Sequence, residues 1–336
     1  MNHNTPITPR PLPLPSLTDE RQRVASTAQL RDQGLSGSDI AAHCRPGGEW
    51  QQILPGVFLL SPGQPTSEDR LRAALLHTAR PGAGPAGRGP EAMITGLAAL
   101  ALHRFSSAPP LTAVDRIDVL VPRTRRLRST GWVRVVRSPE SPEPLDIAGV
   151  PVAPVARALA DAVSALTDAG VVRRLLTEAV RAGHCEPGSV VRELNRARLL
   201  SRPHVVAAVD SLLAEGRSIA EERLYEMVRE FGLPDPLWNV DLRLPGGPHL
   251  GGLDAYWPDQ AVAVELDTRA PRQDDDALWS EYTRKREHLE RLGITVVHIT
   301  PRKLREAMDQ QATVVRTALM AATDRQPAAY VVVLPR

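Results

Sequence analysis

The sequence predicts a multidomain α/β protein, and three observations lead there. At 336 residues, the chain is long for one hydrophobic core, so two or three domains are expected. Its C-terminal third alternates helical periodicity with short apolar runs, the pattern of a mixed sheet covered by helices. Before that third lies a stretch with almost purely helical spacing, preceded by short helices and strands.

In chain order, residues 1–16 hold five prolines and predict an extended, disordered tail. Residues 17–64 form the first expected domain. Thr18 to Gln33 reads as a helix, Gly34 breaks it, and "SGSDIAAHC" offers Ser and Asp caps for a second helix. "EWQQILPGVFLLSPG" then supplies two strand-like pieces around Pro55-Gly56. Helix, turn, helix and hairpin is the order of a winged helix-turn-helix, and it is equally an order that other small helical domains show.

Residues 65–150 are expected to form an α+β middle domain. Residues 67–105 read as helical, interrupted by the Gly/Pro-rich "RPGAGPAGRGP". "DRIDVLVP" and "GWVRVVRS" read as strands of a basic hairpin whose connection crowds Arg123, Arg125, Arg126 and Arg128. Such a cluster either grips phosphates, with affinity that falls steeply with salt, or is a solvated loop. Residues 151–217 read as a helical linker region without a catalytic constellation.

Composition narrows the classes. The net charge is +2, yet residues 65–137 carry 12 Arg against 5 acidic residues, while residues 218–336 carry 15 basic against 19 acidic. A polyanion such as double-stranded DNA would therefore meet the middle segment. Of the 41 basic residues only Lys285 and Lys303 are lysine, so chemistry that needs a lysine has two candidates. Cys44 and Cys185 fit no Cys-x-x-Cys spacing and argue against a structural zinc. No apolar run approaches the roughly 20 residues that span a bilayer, and the N-terminus lacks a signal peptide's pattern. A cytoplasmic protein is expected.

Residues 218–336 carry the candidate chemistry. "SIAEERLYEMVREFG" reads as a helix closed by Gly232, and strands follow near 238–243, 252–257 and 261–267. A helix at about 278–292, strand "ITVVHI", a helix at 302–321 and strand "YVVVL" complete the order. Side chains alternate along a strand, so Ala263, Glu265 and Asp267 share one face and Val262, Val264 and Leu266 the other. If "WPDQ" is a tight turn with Trp257 opposite Gln260, Asp254 lies opposite Ala263 and joins that face. Three converging carboxylates would raise one another's pKa unless a cation neutralised them. Mg²⁺ or Mn²⁺ on Asp254 and Glu265 would suit oxygen ligands and could activate water against a phosphodiester.

On the following helix, Leu278, Tyr282, Lys285, Leu289 and Leu292 recur at helical spacing, which turns Lys285 toward the sheet. Lys285 either stabilises transition-state charge or lays its stem over apolar surface with the ammonium in water. Ser218 and Glu221 form S-x-x-E, a capping box, so Glu221 is either a helix cap or part of the site. Asp274, Asp275 and Asp276 read as a helix-start cluster.

These residues carry a resemblance. "SIAEERLYEMVREFGLPDPLWNVDL", "LDAYWPDQAVAVELD" and "YTRKREHLERLGITVVHIT" resemble the very-short-patch-repair-like branch of the PD-(D/E)XK nuclease superfamily, over about residues 218–320. "ILPGVFLL", "AMITGLAALALHRF" and "GVPVAPVARALADAV" resemble, more loosely, a winged-helix antitoxin and regulator module of the AbiEi type. The first resemblance implies a restriction-endonuclease-like sheet flanked by helices. It places catalytic residues on Asp254, Glu265, Asp267 and Glu221, with the metal on Asp254 and Glu265, and Lys285 joins the candidate catalytic set from its place on the helix stripe.

The chain departs from that pattern. Thr268 stands where the family has glycine, no histidine follows before His288, Tyr282 replaces an aspartate, and Lys285 and His298 replace arginines. Two functions are therefore expected: a Mg²⁺- or Mn²⁺-dependent DNA endonuclease, or a non-catalytic DNA-binding regulator. An antitoxin-like role with a protein partner is a third.

Overall fold

A computed structural model describes residues 23–79, 92–268, 276–322 and 331–335. It is mixed α/β, and its described residues build three sheets and eleven helices. The chain divides into two compact units, Met1–Leu102 with Pro109–Ala153, and His103–Ala108 with Pro154–Arg336. No helix among the described residues is long and apolar enough to cross a membrane.

The first unit opens with β1 (Val24–Ser26), α1 (Thr27–Asp32), α2 (Gly37–His43), β2 (Gln51–Leu54) and β3 (Val57–Leu59). Both helices start at capping boxes, Ser26 with Gln29 and Ser36 with Asp39, which satisfy first-turn amides. Leu30, Ile40, Trp50 and Phe58 form the core beneath them. The sheet runs in the order β1-β3-β2 and is antiparallel throughout. The expected helix from Thr18 to Gln33 is corrected over its described part. Val24 and Ala25 are buried and pair with Leu59 and Phe58, and that pairing outweighs local helix preference. Residues 18–22 lie outside the described residues.

The unit continues through α3 (Ser67–Thr78), β4 (Met93–Thr95), α4 (Gly96–Leu102), β5 (Ile117–Pro122), β6 (Val133–Ser138), β7 (Leu145–Ile147) and β8 (Val150–Val152). The sheet order is β6-β5-β4-β8-β7. Three expectations change here. Met93–Thr95 is a fully buried central strand rather than helix, because it pairs on both sides. Val150–Val152 is a strand rather than the start of the helical region. The basic hairpin is no hairpin, since β5 and β6 pair in parallel with Ile117 opposite Val133. Residues 123–132 therefore run back along the strand. The "RPGAGPAGRGP" insertion lies outside the described residues.

The second unit holds α5 (Val155–Ala165), α6 (Ala169–Arg181), α7 (Pro187–Arg196) and α8 (Pro203–Glu230), then β9 (Leu237–Arg243), β10 (His249–Trp257) and β11 (Val262–Leu266). It ends with α9 (Asp276–Arg291), β12 (Thr295–Ile299), α10 (Pro301–Glu306), α11 (Met308–Ala322) and β13 (Val332–Pro335). The sheet order β12-β11-β10-β9-β13 is antiparallel except for the parallel pair β11–β12, whose connection contains α9. The expected mixed sheet with helices is present. The helix expected at 302–321 is two, broken at Ala307.

Strand alternation divides the apolar side chains as expected. Val262, Val264 and Leu266 join a cluster with Leu224, Val228, Val315 and Leu319 of α8 and α11. Ala263 joins a second cluster with Leu253, Tyr256 and Leu289. The 28-residue α8 starts at Pro203, which suits the first helical turn. Ser218 and Glu221 therefore sit inside a continuous helix, and the capping-box reading of Glu221 is corrected.

A short strap, residues 103–108, is fastened to α6. Phe105 stacks on His184 with ring centroids 4.7 Å apart. The amides of Ser106 and Ser107 donate to the two Glu178 oxygens at 2.6 and 2.8 Å, and both hydroxyls donate to them as well. Burial pushes the Glu178 carboxyl up, but the bonds from Ser107 and Ser106 outweigh it and leave it below its ordinary value of 4.5. A depressed carboxyl adds stability above its unfolded pKa and loses it as pH falls through the folded value. Glu178→Ala should raise amide exchange at Ser106 and Ser107 by roughly tenfold at neutral pH, the equivalent of one charged hydrogen bond. The stability gap between the variant and the parent should shrink as pH drops below 4.5. Unchanged exchange at both amides would show that the strap is held elsewhere.

Candidate functional site

The expected carboxylate cluster is built from the loose end of the β10–β11 ladder. Trp257 pairs with Val262, Tyr256 with Ala263 and Ala255 with Val264. The turn is thus four residues, 258–261, with Ala261 at a φ of 48°, and the tight "WPDQ" turn is corrected. The register moves by two residues, which preserves the alternation and, when extended, sets Asp254 opposite Glu265 rather than Ala263. Beyond Ala255 the backbone pairing stops. Asp254 replaces it with its side chain, whose Oδ2 accepts from the Leu266 amide at 2.6 Å.

The same carboxylate is bound from α8. Arg217 donates to Asp254 Oδ1 at 2.6 Å and lies 2.8 Å from Glu221 Oε1. Asp254 is only 4% exposed, so this guanidinium supplies the charge compensation that a buried carboxylate requires. Arg217 and Glu221 are four residues apart on one helix face. That spacing is legible as R-x-x-x-E, the signal that would have found Arg217.

Glu265 is bound from the other helix. Lys285 of α9 places Nζ 2.9 Å from Glu265 Oε1 and 2.8 Å from the Gly252 carbonyl. The ammonium is therefore bonded inside the site, and the reading of a stem with its head in water is corrected. Gly251, at a φ of 120°, makes room for it. A Cβ there would press into Lys285 Cε and lie 3.1 Å from Nζ. The adjacent pair Gly251-Gly252 was the sequence signal for this close approach. Leu278 and Tyr282 belong to the same expected stripe, but their side chains lie outside the described residues.

His298 lies beside Glu265 on β12, with Nδ1 3.9 Å from Oε2. Burial lowers its pKa most; Glu265 and Asp267 pull it up, while Arg286 and Lys285 push it down. Burial therefore favours the neutral ring beside Glu265. Asp267 continues the β11–β12 pairing through its amide, which donates to Ile299 O at 2.9 Å. Asp274 and Asp275 lie outside the described residues, and α9 begins at Asp276.

Four of the five predicted catalytic residues, all but Asp267, thus fall into two ion-paired groups. One is Asp254, Arg217 and Glu221; the other is Glu265 and Lys285, with His298 beside them. The oxygens expected to hold Mg²⁺ or Mn²⁺ are engaged by the chain's own donors in this arrangement. Both Asp254 oxygens and Glu265 Oε1 are engaged by donors of the chain itself, and two of those donors are cations that a metal ion would have to displace. Among the described residues, no group of three His, Cys, Asp or Glu side chains is placed to hold a metal ion.

The predicted nucleic-acid residues also divide. Arg123, Arg126 and Arg128 are exposed on the return connection after β5. Arg125 is half-buried and donates to Thr78 O at 2.9 Å, which caps the carbonyl end of α3. Arg137 holds the loop by donating to the Arg125 and Leu127 carbonyls. No protein-family model matches this chain, and no curated protein matches it.

Proposed function

We propose that the chain is a DNA-binding protein of the regulatory type, whose nuclease-like carboxylates serve as fixed ion pairs and not as metal ligands. The observation that carries this reading is the capture of Asp254 by Arg217 and of Glu265 by Lys285. A hydrolytic site needs such oxygens open to metal or water; here they tie α8 and α9 to the sheet. Support for DNA comes from the first unit, where Arg123, Arg126 and Arg128 stand exposed in the most basic segment of the chain. The pairing of capped α1 and α2 with a three-stranded sheet is compatible with a winged helix-turn-helix.

Fluorescence anisotropy with a pool of duplex DNA tests the binding. The full chain should bind at low salt and lose affinity as salt rises. Replacing Arg123, Arg126 and Arg128 by glutamine should flatten the salt slope by about 0.9 for each phosphate that these side chains no longer neutralise, while Asp254→Asn should leave it unchanged. Incubating the same DNA with Mg²⁺ or Mn²⁺ should give no nicking. Metal-dependent nicking that disappears in Glu265→Ala would overturn the regulatory reading in favour of an endonuclease. Absence of DNA binding at low salt would overturn it in favour of a protein-partner role.

A further inference from the structure

We propose that the cleft between the 103–108 strap and α6 binds the phosphate group of a nucleotide-sized ligand through Arg173 and Arg174. The cleft is open-mouthed, with a volume of about 560 Å³, within the range of roughly 300–1,000 Å³ typical of small-molecule sites. Ser106 and Ser107 form one wall, and Arg173, Arg174, Thr177 and Glu178 of α6 form the other.

The charges around it are unequally committed. Glu178 is saturated by the four donors of Ser106 and Ser107. Arg181, at the far end, is held by Glu215 through bonds of 2.7 and 3.0 Å. Arg173 makes no ion pair or hydrogen bond to a described residue. Arg174 likewise makes no ion pair to a described residue; its charge acts on Asp168, whose carboxylate caps α6 by accepting from the Val171 amide at 2.9 Å. Two neighbouring guanidinium groups therefore line a concave site without a counter-charge dedicated to either.

The chemistry follows from these groups. Planar guanidinium forks match phosphate oxygens two bonds at a time. Thr177 lies three and four residues beyond Arg174 and Arg173, on the same face of α6, and adds a hydroxyl donor. The Glu178 carboxylate repels an anion from the middle of the cleft. The phosphate is thus directed to the Arg173–Arg174 end, and the polar remainder of the ligand lies toward the strap hydroxyls.

Titration calorimetry on the full chain at low salt tests the site, with inorganic phosphate, a nucleoside 5′-monophosphate, a nucleoside triphosphate and a short DNA duplex as probes. In the Arg173→Gln/Arg174→Gln variant, at least one probe should lose about tenfold or more in affinity, equivalent to roughly 1.4 kcal/mol. The control Arg192→Gln/Arg196→Gln, on exposed positions of α7, should change it less than twofold. The probe that responds identifies the source, a free nucleotide or a nucleic-acid backbone. Equal binding of every probe by the parent and the Arg173/Arg174 variant overturns the proposal. Replacing Arg123, Arg126 and Arg128 should leave small-phosphate binding intact, which separates this site from the DNA-binding surface of the first unit.

Discussion

Arg217→Ala is expected to lower the stability of the C-terminal unit by about 2–3 kcal/mol. The variant leaves Asp254, 4% exposed, with the Leu266 amide as its one remaining partner among the described residues. Removing one member of a fully buried pair costs about 3–5 kcal/mol. The Arg217 side chain is 37% exposed, so water replaces part of what it gave, and the lower figure follows. The other half of the bridge carries little: Arg217 and Glu221 form an (i, i+4) pair at the surface, and Glu221→Ala should cost only about 0.3–0.5 kcal/mol. Urea unfolding followed by tryptophan fluorescence reads the difference. Asp254→Asn in the Arg217→Ala background should recover part of the loss, because a neutral amide is cheaper to bury than an unpaired carboxylate. A cost below about 0.5 kcal/mol for Arg217→Ala, the range of ordinary surface changes, would mean that solvent already reaches Asp254.

These contrasts show which parts of the site the sequence displays. The alternation Val262, Val264, Leu266 against Ala263, Glu265 was readable, because one apolar and one polar face leave their period in the chain. Lys285 was readable for the same reason at helical spacing. The direction of β5 and β6 was not, since two strand-like runs look alike whether their connection reverses the chain or carries it back to the start. The start of α8 was misplaced because S-x-x-E also occurs inside a helix, where its polar side chains simply face solvent; Pro203, fifteen residues earlier, held the true signal.

The separation of the carboxylates had a different origin. Strand alternation links Asp254 and Glu265 to each other, yet each is paired with a cation distant in sequence. Arg217 is 37 residues from Asp254 and Lys285 is 20 from Glu265. No local pattern encodes that α8 approaches one carboxylate while α9 approaches the other. Charge balance offers a partial guide, because acids buried on a sheet require partners, and the helices on either side supply them.

Gly251→Ala should disturb the Glu265 pair as strongly as removing the lysine itself. The glycine φ of 120° is outside the regions open to alanine, which carries a strain of order 1–3 kcal/mol. The added Cβ would also meet the end of the Lys285 stem. A lysine tip moves easily, so the clash itself is inexpensive, but the movement withdraws Nζ from both Glu265 and the Gly252 carbonyl. Lys285→Ala alone should cost about 1–2 kcal/mol, since hydrogen bonds to charged groups are worth roughly that much when partly buried. The two changes should not add. With the stem gone, Gly251→Ala retains only its backbone strain, so the double variant should be more stable than the sum of single effects by about 1 kcal/mol, well above the 0.3–0.5 kcal/mol scatter of independent sites. Additivity within that scatter would mean that Lys285 reaches Glu265 without help from the glycine. A coupled result makes Gly251 the residue that admits the Lys285 ammonium to the sheet, where it pairs with Glu265.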